Sequence, residues 1–151
     1  MTGRPPVPFR LKVLRGNPGQ RRLRPEPEPP VLPECPDPPV HVTGYAAEEW
    51  RRTGPELHRL GLLTVADTSV FEAYCVSYGR WRELEEQLVG AELLIPGSRK
   101  NLKANPLIAA AAQARRDLAR LGAEFGLTPS SRTRVSAANV PLPSKFGDLI
   151  S

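Results

Sequence analysis

From Thr43 onward, apolar residues recur every three or four positions, the period of an α-helix; before Thr43 no such period is seen. Thr43 reads as an N-cap, followed by a short helix over 46–53. Gly54-Pro55 reads as a break, with Pro55 opening a second short helix over 55–60 that carries Leu57 and Leu60 and stops at Gly61. Thr64 and Asp67 resemble a capping box and start a long helix. Its apolar stripe is Val70, Tyr74, Tyr78, Trp81, Leu84 and Leu88, widened by Phe71 and Cys75, with Arg82, Glu83, Glu85 and Glu86 opposite. That helix is expected to end near Gly90, and residues 96–105 read as a loop. Asn105 then caps, and Pro106 opens a second long helix. Leu107, Ala111, Ala114, Leu118, Leu121 and Phe125 alternate steps of four and three, a seam of coiled-coil type. Gly126 ends it, and Thr128-Pro129 reads as a further cap before a short terminal helix over 129–133. No strand pattern of comparable strength occurs. The expected fold is mainly α: an extended Pro-rich arm, short helices, then a long antiparallel helical hairpin.

Composition sharpens the N-terminal boundary. Twelve of the 18 prolines fall in the first 39 residues. Pro25-Glu26-Pro27-Glu28-Pro29-Pro30 favours an extended, polyproline-like linker, because proline removes backbone donors and forbids helix interiors. The chain therefore divides into a basic arm and Pro-rich linker (1–42), a helical domain (43–134) and a C-terminal tail (135–151), which reads either as loose or as docking on a neighbour through Phe146, Leu149 and Ile150. No apolar run is long enough to span a bilayer and no signal-peptide core is present, so a cytosolic protein is expected. In such a compartment Cys35 and Cys75 read as free thiols.

Catalytic and ligand motifs are missing. There is no phosphate loop of GxxxxGK[ST] type, no GxGxxG, no GxSxG and no HExxH. The cysteines and the isolated His41 and His58 lack metal spacing, so neither metal nor cofactor is expected. Glu48 and Glu49 are adjacent on a helix, point to different faces, and read as surface charge. The expectation is a protein that is not an enzyme.

Charge is the positive clue. The net charge is +5, and Arg4, Arg10, Lys12, Arg15, Arg21, Arg22 and Arg24 put seven cations in the first 24 residues with no acid among them. Such an arm is drawn to a polyanion, and arginine pairs phosphate through two donors. The competing reading is a solubilising tail. Arg99, Lys100 and Lys103 form a second basic patch, equally readable as a solvated turn or a phosphate contact. Arg132 and Arg134 form a third, beside a Thr128–Ser131 stretch that reads either as a phosphate-holding helix start or as plain capping. These twelve residues are the candidate nucleic-acid contacts, and a charge run alone does not separate DNA from RNA. Val70, Tyr74, Tyr78, Trp81, Leu107, Ala111, Ala114, Leu118, Leu121 and Phe125 are the candidate core or oligomer interface; their helical spacing favours packing over base stacking. Two other readings remain: a DNA-binding transcription regulator using the short helices as a reader, and a scaffold binding a protein through its PxxP-like segment.

Taken in order, GRPPVPFRLKVLRGNPGQRRL (3–23), EPEPP (26–30), AAEEW (46–50), PELHRLGLLTVAD (55–67), FEAYC (71–75), Trp81, KANP (103–106) and FGLTPSSR (125–132) resemble the small subunit of phage terminases. The similarity runs from about residue 3 to 134, and FGLTPSSR after a long helix is its most specific piece. The resemblance implies a ring-forming homo-oligomer in the host cytoplasm. It also implies that such a ring binds double-stranded viral DNA and recruits and regulates the large terminase, whose ATPase and nuclease package the genome into the procapsid.

Overall fold

The structure, a computed structural model, describes residues 30, 32–97 and 101–132. Among these the chain is mainly helical, as its periodicity predicts: α1 (Gly44–Arg59), α2 (Thr68–Leu88), β1 (Leu94–Pro96), β2 (Leu102–Ala104) and α3 (Pro106–Glu124). The N-terminal arm of residues 1–28 lies outside the described residues.

Helix α1 buries Ala46, Ala47, Trp50, Thr53, Gly54 and Leu57, a stripe at helical spacing. Thr43 takes the N-cap position in extended conformation without a side-chain capping bond. At the other end Leu62 N–H donates to Leu57 O (2.8 Å) and Gly61 N–H to His58 O (2.9 Å), with Gly61 at φ +67°. This is a Schellman stop, with glycine where the left-handed backbone requires it. The two short helices expected over 46–53 and 55–60 are in fact one. Gly54 is not a breaker: a Cβ there would sit 3.2 Å from Cys35 Sγ and 3.4 Å from Phe71 Cε1, so glycine marks close packing. Pro55 costs one ladder bond on an exposed turn, and the helix continues through it.

Residues 32–42, read from sequence as part of the linker, are tied to the helices. His58 Nε2 bonds Leu32 O (2.8 Å), Trp50 Nε1–H donates to Pro36 O (2.8 Å), and His41 Nε2 meets Glu72 Oε1 at 2.7 Å. Val42 then enters the core with Ala46 and Ala47, against Val76.

Helix α2 is the element against which both α1 and α3 pack. It starts at Thr68, one turn later than expected. Thr64 and Asp67 do bond, with Asp67 Oδ2 accepting from Thr64 N–H (3.1 Å) and Thr64 Oγ1 (2.5 Å), but they form a turn ahead of the helix. Its buried face is Phe71, Tyr74, Cys75 and Gly79. Trp50 packs on Phe71 with ring centroids 4.7 Å apart, and Phe71 stacks on Tyr74 at 6.1 Å. The α1–α2 crossing is close at Gly79, where a Cβ would lie 2.9 Å from Ala46 N.

The expected loop 96–105 is instead part of a β-hairpin, antiparallel, with Leu94↔Ala104, Ile95↔Lys103 and Pro96↔Leu102 in register. Gly97 N–H closes it onto Asn101 O at 2.7 Å. Three-residue strands are too short to show alternation, which hid them from periodicity. Asn105 then does three things. Its N–H donates to Leu93 O (2.9 Å), its Nδ2 to Glu92 O (3.1 Å), and its Oδ1 accepts from Leu107 N–H (3.0 Å), the capping bond of α3. Since α3 starts beside the end of α2 and packs along it, the two helices run antiparallel.

Residues 125–132 are described by themselves. Gly126 has φ +72°, and Pro129–Arg132 make one helical turn. Thr128 and Ser131 cap it reciprocally: Ser131 N–H donates to Thr128 Oγ1 and Thr128 N–H to Ser131 Oγ, both at 3.2 Å.

Candidate functional site

Buried between α1 and α2 is one carboxylate with its donors. Glu49 is 1 % exposed. It accepts from Arg52 Nε and Nη2, from Thr53 Oγ1 and from Tyr74 OH, each at 2.8 Å. The expectation of surface charge holds for Glu48, which is exposed, and fails for Glu49. Its neighbours on α1 and a tyrosine 25 residues away supply the donors that a buried carboxylate needs. The cluster perturbs what surrounds it. Burial first, then the hydrogen bond to Glu49, pushes the Tyr74 phenol pKa up. Burial, then the Glu49 charge, pushes the Cys75 thiol up to about 12. Arg52, still largely exposed, has its guanidinium pKa raised by the bond to Glu49. Both Glu49 oxygens are thus satisfied within the chain, and the bond from Tyr74 ties α1 to α2. Among the described residues no group of three or more His, Cys, Asp or Glu is arranged to hold a metal.

Of the candidate DNA contacts, Arg4, Arg10, Lys12, Arg15, Arg21, Arg22, Arg24, Arg99, Lys100 and Arg134 lie outside the described residues. Lys103 is exposed on β2, and Arg132 is exposed on the capped turn. Capping consumes the Ser131 amide, which favours the capping alternative for Thr128–Ser131. Of the candidate interface residues, Tyr74, Ala111, Ala114 and Phe125 are buried. Tyr78, Trp81, Leu107, Leu118 and Leu121 are half-buried, and Val70 is exposed. Of the six seam residues from Leu107 to Phe125, three are thus buried and three are half-buried.

Two surface features had no signal in the sequence pattern. Leu94 and Leu102 on the hairpin are 54 % and 66 % exposed. Helices α2 and α3 leave a groove of about 380 Å³ between them, lined by Ser77, Arg80, Glu83, Leu84, Gln87, Ala110, Gln113, Ala114 and Asp117.

A family model described as "Phage terminase, small subunit" matches residues 46–141, more than half of the chain, and the protein belongs to that family. Small terminase subunits are generally regulatory rather than catalytic, and the family implies dealings with DNA and with the large terminase. The matched span holds AAEEW through FGLTPSSR and leaves out the basic arm. No curated protein and no solved structure matches the chain significantly. No helix among the described residues is long and apolar enough to cross a membrane.

Proposed function

We propose that this chain is the DNA-recognition subunit of a phage packaging motor. It self-associates into a ring, holds double-stranded viral DNA, and recruits and regulates the large terminase, whose ATPase and nuclease drive the genome into the procapsid. The observation that carries this reading is the family match over 46–141. The arm supports the DNA part, since its seven cations without an acid are suited to phosphate. The rival reading as a transcription regulator needed two short helices as a reader, and α1 is a single helix with its inner face buried. DNA binding by fluorescence anisotropy across a salt series, run beside a light-scattering mass, tests the proposal. The expected result is an oligomer whose affinity falls steeply with salt; a dimer with a flat salt dependence would overturn it.

A further inference from the structure

Helices α1 and α2 run antiparallel: Tyr45 bonds Glu86 and Ala46 meets Gly79, while Gly54 packs on Phe71 further along. One end of the pair therefore carries the turn 60–67. The other carries the start of α1 and, past the end of α2, the hairpin. Residues 32–42 run back along α1 from the hairpin end to the turn end. Val42 packs beside Ala46 and Ala47, Pro36 O accepts from Trp50, Cys35 Sγ lies against Gly54, and Leu32 O accepts from His58 in the last turn of α1. Pro33, Pro36, Pro38 and Pro39 restrict the backbone in advance, which lowers the entropy lost on holding the segment there.

These ties decide where the basic arm is rooted. Without them the root is Thr43, at the hairpin end; with them it is Leu32, at the turn end. Arg24, the arm cation nearest the helices in sequence, is nineteen residues from Thr43 but eight from Leu32. Nineteen residues span at most about 66 Å, and eight at most about 28 Å. The 21 residues of α2, which separate the two ends, rise about 31 Å. A root at Thr43 lets Arg24 serve either end. A root at Leu32 holds its backbone short of the hairpin.

We propose that this chain meets DNA with the α1–α2 turn end of its helical domain, and that the ties of Leu32 and Pro36 to α1 set that polarity. This rests on the DNA-binding reading above and adds to it the surface that faces the duplex. Lys103, on the hairpin, belongs to the opposite end and is then not a DNA contact.

The test places the photocrosslinker p-benzoylphenylalanine at Leu60 in the turn or at Leu94 on the hairpin of the full-length chain; both positions are 54 % exposed. The probe is a linear DNA duplex, and denaturing gels read the cross-linked fraction at matched occupancy. Position 60 is expected to give several-fold more product than position 94. Trp50→Phe with His58→Ala then removes both donors to the segment. Faster alkylation of the half-buried Cys35 reports release, and circular dichroism reports folding. His58→Ala alone serves where the double variant does not fold. On release the preference for position 60 is expected to fall toward parity. Equal or greater product from position 94 would overturn the polarity. So would a preference that survives release, or a Cys35 still protected once its ties are cut. Each of these leaves DNA binding and the packaging reading intact, whereas a wild type that binds no DNA would overturn both.

Discussion

Glu49 is held by four donor atoms from three side chains, and its removal would leave them unpaired. Arg52 reaches solvent and can be rehydrated, but Thr53 and Tyr74 are buried. Glu49→Ala is therefore expected to destabilise the fold by about 2–3 kcal/mol, the cost of orphaning buried polar groups, and Tyr74→Phe by about 1 kcal/mol; urea unfolding measures both. Folding raises the Cys75 pKa from 9.0 to about 12, so the folded state favours the protonated thiol. Its contribution to stability is complete below pH 9 and is lost as pH rises toward 12. The expected outcome is a urea midpoint that falls above pH 9, with a shallower fall in Cys75→Ala. Cys75 should also resist alkylation in the native protein at mildly alkaline pH, while the less buried Cys35 reacts first.

At the scale of elements, glycine decides the α1–α2 crossing. In an exposed helix interior Gly→Ala gains about 1 kcal/mol of propensity. At Gly79 the added methyl would press on the Ala46 backbone at 2.9 Å, and overpacking costs about 1–3 kcal/mol. Gly79→Ala is thus expected to lower thermal stability, and a rise would show that α1 gives way freely. Asn105→Ala is expected to cost about 1 kcal/mol through the lost cap, and more if the Glu92 tie holds the hairpin base. What was legible in the sequence at this scale was local. Asn105-Pro106, Gly61 and the α3 seam each announce themselves within a few residues. Gly54-Pro55 was misread because the reason for the glycine, Cys35 and Phe71, is distant in sequence. Glu49 was misread for the same reason, since Tyr74 lies on another helix.

For the whole molecule, charge and assembly should separate. Deleting residues 1–24 removes seven cations. If all of them contact phosphate, the slope of log K against log salt should flatten by about six, at roughly 0.9 per contact. Oligomer mass should be unchanged, and its loss on deletion would make the arm structural. The surface half of the candidate site was not legible in the sequence. Hairpin face and groove arise from three-residue strands and from where alanines fall on a packed pair of helices, and neither leaves a period. A mechanical consequence follows from the way residues 32–42 are fastened. Their attachments, Leu32 to His58, Pro36 to Trp50 and His41 to Glu72, are strung in chain order. A load entering through the residues ahead of Pro30 meets them in series, so this strap should peel bond by bond before either helix is strained. Pulling single molecules from the N-terminus should show a low-force lengthening ahead of the main rupture, at most about 35 Å, the full span of some ten extended residues. Rupture in one step would mean that the strap and helices yield together.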